Sequence, residues 1–176
     1  MSERRRRGPP APLAPERAWE YALQLLGRQA YSAAELERRL LRRSLDPEHA
    51  ARVVARLIEL RLLDDAGYAG AYVRSRRSAK GPIALRQELR RKGVDERHVE
   101  AALAEEGSDD PVATALALLQ RNAWRYQGVA CADDASAQAA RRRALAFLAR
   151  RGFEPDTASE ALERWRRRLE ATADLP

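Results

Sequence analysis

The stretch LRRKGVDE, residues 89–96, decides the fold because related stretches occur on either side of it in the chain. The first copy is LLRRSLDP at residues 40–47 and the third is LARRGFEP at residues 148–155, so successive copies lie 49 and 59 residues apart. Cations suit the negative C-terminal end of a helix, a small residue permits a left-handed cap, and an acid or a proline begins a new helix. The repeat therefore predicts the same helix-to-helix junction three times.

Apolar spacing around each copy predicts three helices per repeat. In the first repeat, SAAE at residues 32–35 has the pattern of a capping box that begins the second helix. The first helix is marked by Trp19, Leu23 and Leu26. The apolar face of the third helix is formed by Val53, Val54, Leu57 and Ile58.

Composition favours helices and argues against a sheet. The chain has 35 Ala but only 12 Val, Ile and Thr residues together. A module of about 45 residues buries too little apolar surface to be stable alone, so neighbouring modules should stack. We therefore predict an all-α protein built of three tandem three-helix modules stacked into an elongated, curved array. The predicted domains are a disordered basic tail at residues 1–15 and modules at residues 16–63, 64–107 and 108–176.

The charge of the chain comes almost wholly from arginine. There are 31 Arg and 2 Lys against 26 acids, which gives a net charge of +7. Between residues 74 and 92, eight cations accompany a single acid, Glu88. Such a window is suited to polyanions or to acidic protein surfaces, and the alternative is an ordinary solvated helix face.

The sequence offers little for catalysis. His49 and His98 occupy equivalent positions in successive repeats, and one cysteine, Cys131, cannot build a disulfide or a metal cluster with them. The acid pairs at residues 64–65, 109–110 and 133–134 precede helices and are best interpreted as caps. We therefore expect no enzyme activity, no catalytic residue, no cofactor and no metal site. No apolar run approaches the about 20 residues that span a bilayer, so we expect a cytoplasmic protein without a membrane partner.

A family resemblance rests on several motifs. The run LRLLDDAGYA at residues 60–69, followed by YVR at 72–74, KGPI at 80–83 and EL at 88–89, resembles the RecX family of bacterial recombination regulators. The run YSAAELERRL at residues 31–40 adds the family's first-module pattern. The likeness covers residues 16–170, and it departs from the usual pattern at Arg61, where glycine is common.

The resemblance implies a function as well as a fold. Members of the family look like three tandem three-helix modules that bind the RecA recombinase filament and inhibit its ATP hydrolysis and strand exchange. The expected role is modulation of homologous recombination, DNA repair and the SOS response by a monomeric protein. Single- or double-stranded DNA within or beside the filament is a further expected partner. A free-standing helical DNA-binding protein is the alternative, and a purely structural scaffold is a third possibility.

The repeated cations and the basic window are the predicted partner-binding residues. Compensation of helix dipoles explains a single cation in each repeat, whereas a stripe of guanidinium groups along one side of the array explains two. The aromatic residues Trp19, Tyr68, Tyr72, Trp124 and Trp165 are predicted to pack in cores rather than to stack on bases. The predicted binding residues are Arg42, Arg43, Arg74, Arg76, Arg77, Lys80, Arg86, Arg90, Arg91, Lys92, Arg150 and Arg151.

Overall fold

The computed structural model describes residues 13–43, 45–126, 128–129 and 135–173. Within these ranges the protein is all-helical and contains no strand, which confirms the predicted fold class. None of the described helices is both long and apolar enough to cross a membrane. The helices are α1 Ala18–Leu26, α2 Ala33–Leu41, α3 Pro47–Glu59, α4 Asp65–Arg76, α5 Pro82–Lys92, α6 Glu96–Glu106, α7 Pro111–Arg121, α8 Ala135–Arg150 and α9 Pro155–Ala173, with short 3-10 turns at Pro15–Arg17 and Ala123–Tyr126.

The helices pack in consecutive threes, each set around its own hydrophobic core. We refer to α1–α3, α4–α6 and α7–α9 as modules 1, 2 and 3. Module 1 centres on Leu36, Leu40 and Leu57, all fully buried. Module 2 has a smaller core that includes Val73, Leu89 and Val99. The core of module 3 is the richest in aromatic rings and includes Tyr126, Phe147, Phe153 and Trp165.

Two apolar residues of module 1 lie on its surface. Ile58 is 49% exposed, so its assignment to the apolar face of the third helix is wrong, and Leu23 in α1 is 39% exposed. The buried positions of α1 include Ala18 and Ala22, which are fully buried, because small side chains allow close approach of neighbouring helices. Composition alone could not distinguish these core alanines from surface ones.

Polar caps begin the helices as predicted. The Ser32 hydroxyl accepts a hydrogen bond from the Glu35 amide at 3.2 Å, and the Glu35 carboxylate accepts one from the Ser32 amide at 3.4 Å. This pair is the predicted capping box. Asp64 caps α4 and Asp110 caps α7 through backbone amides, whereas the third acid pair, residues 133–134, lies outside the described residues.

Left-handed residues end the helices at two of the three repeat copies. Gly93 has a φ of 83° and Gly152 a φ of 82°, which confirms the predicted caps there. The equivalent Ser44 lies outside the described residues. Arg61, just after α3, also has a positive φ of 56°. The family that the sequence resembles commonly has glycine at this position, and glycine is the residue best suited to that conformation.

The second helices of the three modules are joined head to tail. The Ser32 hydroxyl, at the N-terminus of α2, donates to the carbonyl of Lys92 at the C-terminus of α5, at 2.6 Å. The Gly81 amide, at the N-terminus of α5, donates to the carbonyl of Arg151 beyond α8, at 2.8 Å. In the resulting order, α8 then α5 then α2, the negative C-terminal end of one helix meets the positive N-terminal end of the next, and the modules are joined into one array.

Close backbone contact at these junctions requires small residues. A Cβ on Gly81 would collide with the backbone of Gly152, and a Cβ on Gly93 would collide with the side chain of Ala34. The carbonyl of Arg43, after α2, accepts a hydrogen bond of 2.8 Å from the Leu13 amide. The carbonyls of Arg43, Lys92 and Arg151 occupy equivalent repeat positions, and each accepts a hydrogen bond from a distant segment of the chain.

Candidate functional site

The predicted basic window lies on α4, α5 and the turn between them. Its sequence contains one acid, but the fold brings carboxylates from α2 and α6 against it. The predicted excess of positive charge is therefore largely neutralised within the protein. The ion pairs are Arg74 with Glu106, Lys80 with Glu88, Arg86 with Glu100, Arg90 with Glu96, and Lys92 with Glu35.

Glu88 links α4 to α5 inside module 2. The Tyr72 hydroxyl donates to Glu88 Oε2 at 2.9 Å, and Lys80 Nζ pairs with Glu88 Oε1. Burial by itself raises the pKa of Glu88, but the hydrogen bonds from Lys80 and Tyr72 outweigh it and hold the pKa below its usual value. Lys80 is therefore committed to an internal contact.

Arg86 and Arg90 bind α5 to α6. Arg86 donates to both carboxylate oxygens of Glu100, at 2.5 and 3.1 Å, and Arg90 makes the same forked contact with Glu96. The hydrogen bond to Glu100 raises the pKa of Arg86, and its counterpart lowers the pKa of Glu100. Both guanidinium groups thus stabilise the module.

Lys92 and Glu35 form an ion pair across the junction between modules 1 and 2. Lys92 Nζ lies 2.8 Å from Glu35 Oε1, and the Tyr68 hydroxyl donates to Glu35 Oε2 at 3.0 Å. Burial by itself raises the pKa of Glu35, but hydrogen bonds from Lys92, Tyr68 and the Ser32 amide hold it below its usual value. This pair fixes one module against the next.

Three cations of the window make no close carboxylate contact. Arg76 lies over the ring of Tyr72, 4.1 Å from its centroid, and Arg77 donates to the backbone carbonyls of Glu106 and Gly107. The Arg91 side chain is 74% exposed, and the nearest oxygen of Glu88 is 3.9 Å away. Arg91 is therefore the most accessible charge on α5.

The paired cations of the repeat divide into two kinds. The first of each pair is exposed, and the second is half-buried near a junction. Arg43 lies over the Tyr21 ring at 5.1 Å and Arg151 over the Phe147 ring at 5.3 Å, whereas Lys92 binds Glu35. The exposed members are Arg42, Arg91 and Arg150.

Module 3 contains an aromatic residue that the sequence pattern misplaced. Trp124 is 73% exposed, so the prediction that it packs in a core is wrong. Trp165 is buried as predicted, and its ring meets Tyr126 edge-on at 6.3 Å. Because Tyr126 fills the core, Trp124, two residues earlier in the 3-10 turn, is left on the surface. In the sequence, the only indication that Trp124 is exposed is its position just beyond the periodic apolar residues of α7.

Trp124 borders an open groove of about 510 Å³. The groove is lined by Trp124, Arg125, Tyr126, Arg143, Ala146 and Arg150.

Across the described residues, no group of His, Cys, Asp and Glu side chains converges to hold a metal ion.

Two protein-family models match the chain. Residues 18–57 match the first three-helix domain of RecX, and residues 64–103 match the second three-helix domain of RecX. These matches correspond to helices of modules 1 and 2.

Similar proteins extend the comparison to most of the chain. A regulatory protein RecX of Mycolicibacterium vanbaalenii is 38% identical over 165 residues, which cover 88% of each chain. A regulatory protein RecX of Xanthomonas axonopodis pv. citri is 40% identical over 135 residues, covering 76% of this chain and 78% of the relative. The crystal structure of RecX from Lactobacillus salivarius superposes with a TM-score of 0.72 at 24% identity, covering 86% of this chain and 96% of that one, and supports the same fold.

Proposed function

The chain belongs to the RecX family of regulatory proteins, and we propose that it binds the filament of its cognate RecA recombinase and inhibits ATP hydrolysis and strand exchange by that filament. In this proposal the protein is a cytoplasmic monomer without catalytic activity of its own. Its effect on the cell is to modulate homologous recombination, DNA repair and the SOS response.

One structural observation carries the proposal. An exposed arginine follows the second helix, or ends it, at the same repeat position in each module, and these second helices are docked head to tail. A filament is a periodic partner, because every subunit presents the same surface again. A protein with one guanidinium group per docked module has the repetition that such a surface requires. The residues of this set are Arg42, Arg91 and Arg150.

The chemistry of these positions supports binding more than stability. A cation at a helix C-terminus contributes about 0.3 to 1 kcal/mol through the dipole, and either lysine or arginine would serve. Arginine at all three exposed positions adds a planar fork that can bind a carboxylate with two hydrogen bonds. Arg42 and Arg150 have no carboxylate partner among the described residues, and Arg91 has only the long contact to Glu88.

The free-standing DNA-binding alternative has less support. In a three-helix DNA-binding domain of the helix-turn-helix type, the third helix enters the major groove with basic or polar side chains. Here α3 carries Glu48 and Glu59, which pair with Arg52 and Arg56 along its own surface. These pairs reduce the charge that would face the phosphates.

The test is the DNA-dependent ATPase of the cognate RecA, measured with increasing amounts of the purified protein. The variant R42E/R91E should need at least tenfold more protein for half-inhibition, a change of about 1.4 kcal/mol in binding. R97E is the control, because Arg97 is 79% exposed but is not one of the three repeated positions. It should inhibit like the wild-type protein.

Three results would contradict the proposal. An unchanged RecA rate at saturating wild-type protein would remove the proposed activity altogether. Equal loss of inhibition in R97E and R42E/R91E would show that overall charge, rather than the repeated positions, determines binding. ATP hydrolysis by the protein alone that persists through further purification would overturn the non-catalytic role.

A further inference from the structure

The groove beside Trp124 shares Arg150 with the recombinase proposal, but that proposal does not use the other groups of the groove, Trp124, Arg125 and Arg143. Trp124 is 73% exposed, and the Arg125 guanidinium lies 5.6 Å from the centre of its ring. The exposed indole ring offers a large flat apolar surface that a ligand can cover. The groove lies beyond both segments that the family models match.

The floor of the groove is one face of α8. Arg143, Ala146 and Arg150 are spaced three and then four residues apart, so they lie on the same side of the helix. The two arginines are about 10 Å apart along the helix axis, and the small Ala146 between them leaves space above the helix. Neither guanidinium group has a carboxylate partner among the described residues, in contrast to Arg86 and Arg90 of module 2.

We propose that this groove binds single-stranded nucleic acid, with a base stacked on Trp124 and neighbouring phosphates bound by Arg143 and Arg150. An exposed aromatic ring accepts the face of any base, and flanking cations bind the backbone without reading sequence. An acidic protein segment would also suit the arginines, but its carboxylate side chains supply no aromatic ring to stack on the indole ring. The Arg125 guanidinium, which lies over the Trp124 ring, adds a third cation beside the stacked base.

Binding is measured with the full-length protein and no recombinase, so its outcome is separate from that of the proposed function. The probe is a fluorescein-labelled oligonucleotide of deoxythymidine, followed by fluorescence polarisation. R143A/R150A should bind at least tenfold more weakly, and W124A at least fivefold more weakly. The slope of log affinity against log salt concentration should decrease in R143A/R150A by about 1.4, the value for two phosphates of a single strand.

R142A is the matched control. Arg142 precedes Arg143 on α8 and is exposed, but it does not line the groove. Removing this charge should change the affinity less than twofold. A second variant, A146E, places a carboxylate between the two arginines and should also weaken binding at least tenfold. Circular dichroism of each variant establishes that α8 remains helical.

Tryptophan fluorescence provides an independent measurement. The chain has three tryptophans, of which Trp165 is buried and Trp124 is the most exposed. Unlabelled oligonucleotide should quench the wild-type emission, and W124F should lose most of that quenching. Three results would overturn the proposal: equal weakening by R142A and R143A/R150A, oligonucleotide affinity unchanged in W124A, or displacement of the oligonucleotide by polyglutamate at equal concentration of charge.

Discussion

The hydroxyl of Ser32 donates a hydrogen bond of 2.6 Å to the main-chain carbonyl of Lys92, a residue 60 positions later in the chain. The same hydroxyl oxygen accepts the Glu35 amide and so caps α2. Ser32 is fully buried, and a single side chain therefore begins a helix of module 1 and holds the end of a helix of module 2. Local capping and the stacking of modules depend on the same atom.

Replacing Ser32 should weaken both the cap of α2 and the contact between modules 1 and 2. S32A should lower the free energy of unfolding by about 2 to 4 kcal/mol, since it removes a cap worth about 1 kcal/mol and takes one partner from a junction carbonyl, at about 1 to 3 kcal/mol. D110A is the control, because Asp110 caps α7 without contacting another module. It should cost about 1 kcal/mol. Urea unfolding measures both, and equal losses would show that the bond to Lys92 contributes nothing.

The junction glycines should resist substitution. G152A should lower the free energy of unfolding by more than about 2 kcal/mol, because the left-handed backbone disfavours a Cβ by about 1 to 2 kcal/mol and the new methyl would collide with the backbone of Ala84. G70A is the control. Its methyl would lie 3.7 Å from the flexible end of Arg74, inside α4, and should increase stability by about 0.5 to 1 kcal/mol. Similar effects of the two substitutions in urea unfolding would contradict the tight junction.

Acid should weaken the protein through Glu35 and Glu88. The folded protein lowers the pKa of both carboxyls, so their contribution is complete above their unfolded pKa of about 4.3 and is lost as pH falls through the lower folded values. The urea midpoint should therefore decrease as the pH falls below about 5. E35Q/E88Q should be less stable at pH 7 and show a smaller decrease. E48Q, which removes an exposed carboxylate, should keep the wild-type pH dependence.

Charge reversal should distinguish an arginine that is paired within the protein from one that is largely exposed to solvent. R86E should lower the free energy of unfolding by about 1 kcal/mol, because it places a carboxylate against Glu100 in place of a forked ion pair. R91E should change it by less than about 0.5 kcal/mol, since Arg91 is largely exposed. Thermal unfolding at low and high salt compares them, and R86E as stable as R91E would show that the pair with Glu100 is not formed in solution.

Arg61 offers a site for stabilisation. R61G should raise the free energy of unfolding by about 1 kcal/mol, because glycine adopts the φ of 56° without the strain of a Cβ. R61A separates this effect from loss of the charged side chain, since alanine retains the Cβ, and it should give no such gain. A gain in R61A equal to that in R61G would assign the effect to charge rather than to the backbone.

Much of the helical framework follows from the sequence because its causes are local. The capping box at Ser32, the cap at Asp64 and the left-handed Gly93 each depend on residues within one turn of a helix boundary. Such interactions are encoded by spacing along the chain. The domain limits at residues 16–63, 64–107 and 108–176, with the tail at 1–15, remain predictions.

The sequence by itself determined an all-helical chain with three equivalent helix ends, and the tertiary structure decided which charges are left for a partner. Arg86 and Arg91 look alike in the sequence, but Glu100 reaches only the first. Trp124 and Trp165 are each followed by an arginine, yet of these two only Trp165 is buried. The physical reason is that a side chain is buried or paired by residues from other helices. Packing, rather than distance along the chain, determines which residues those are.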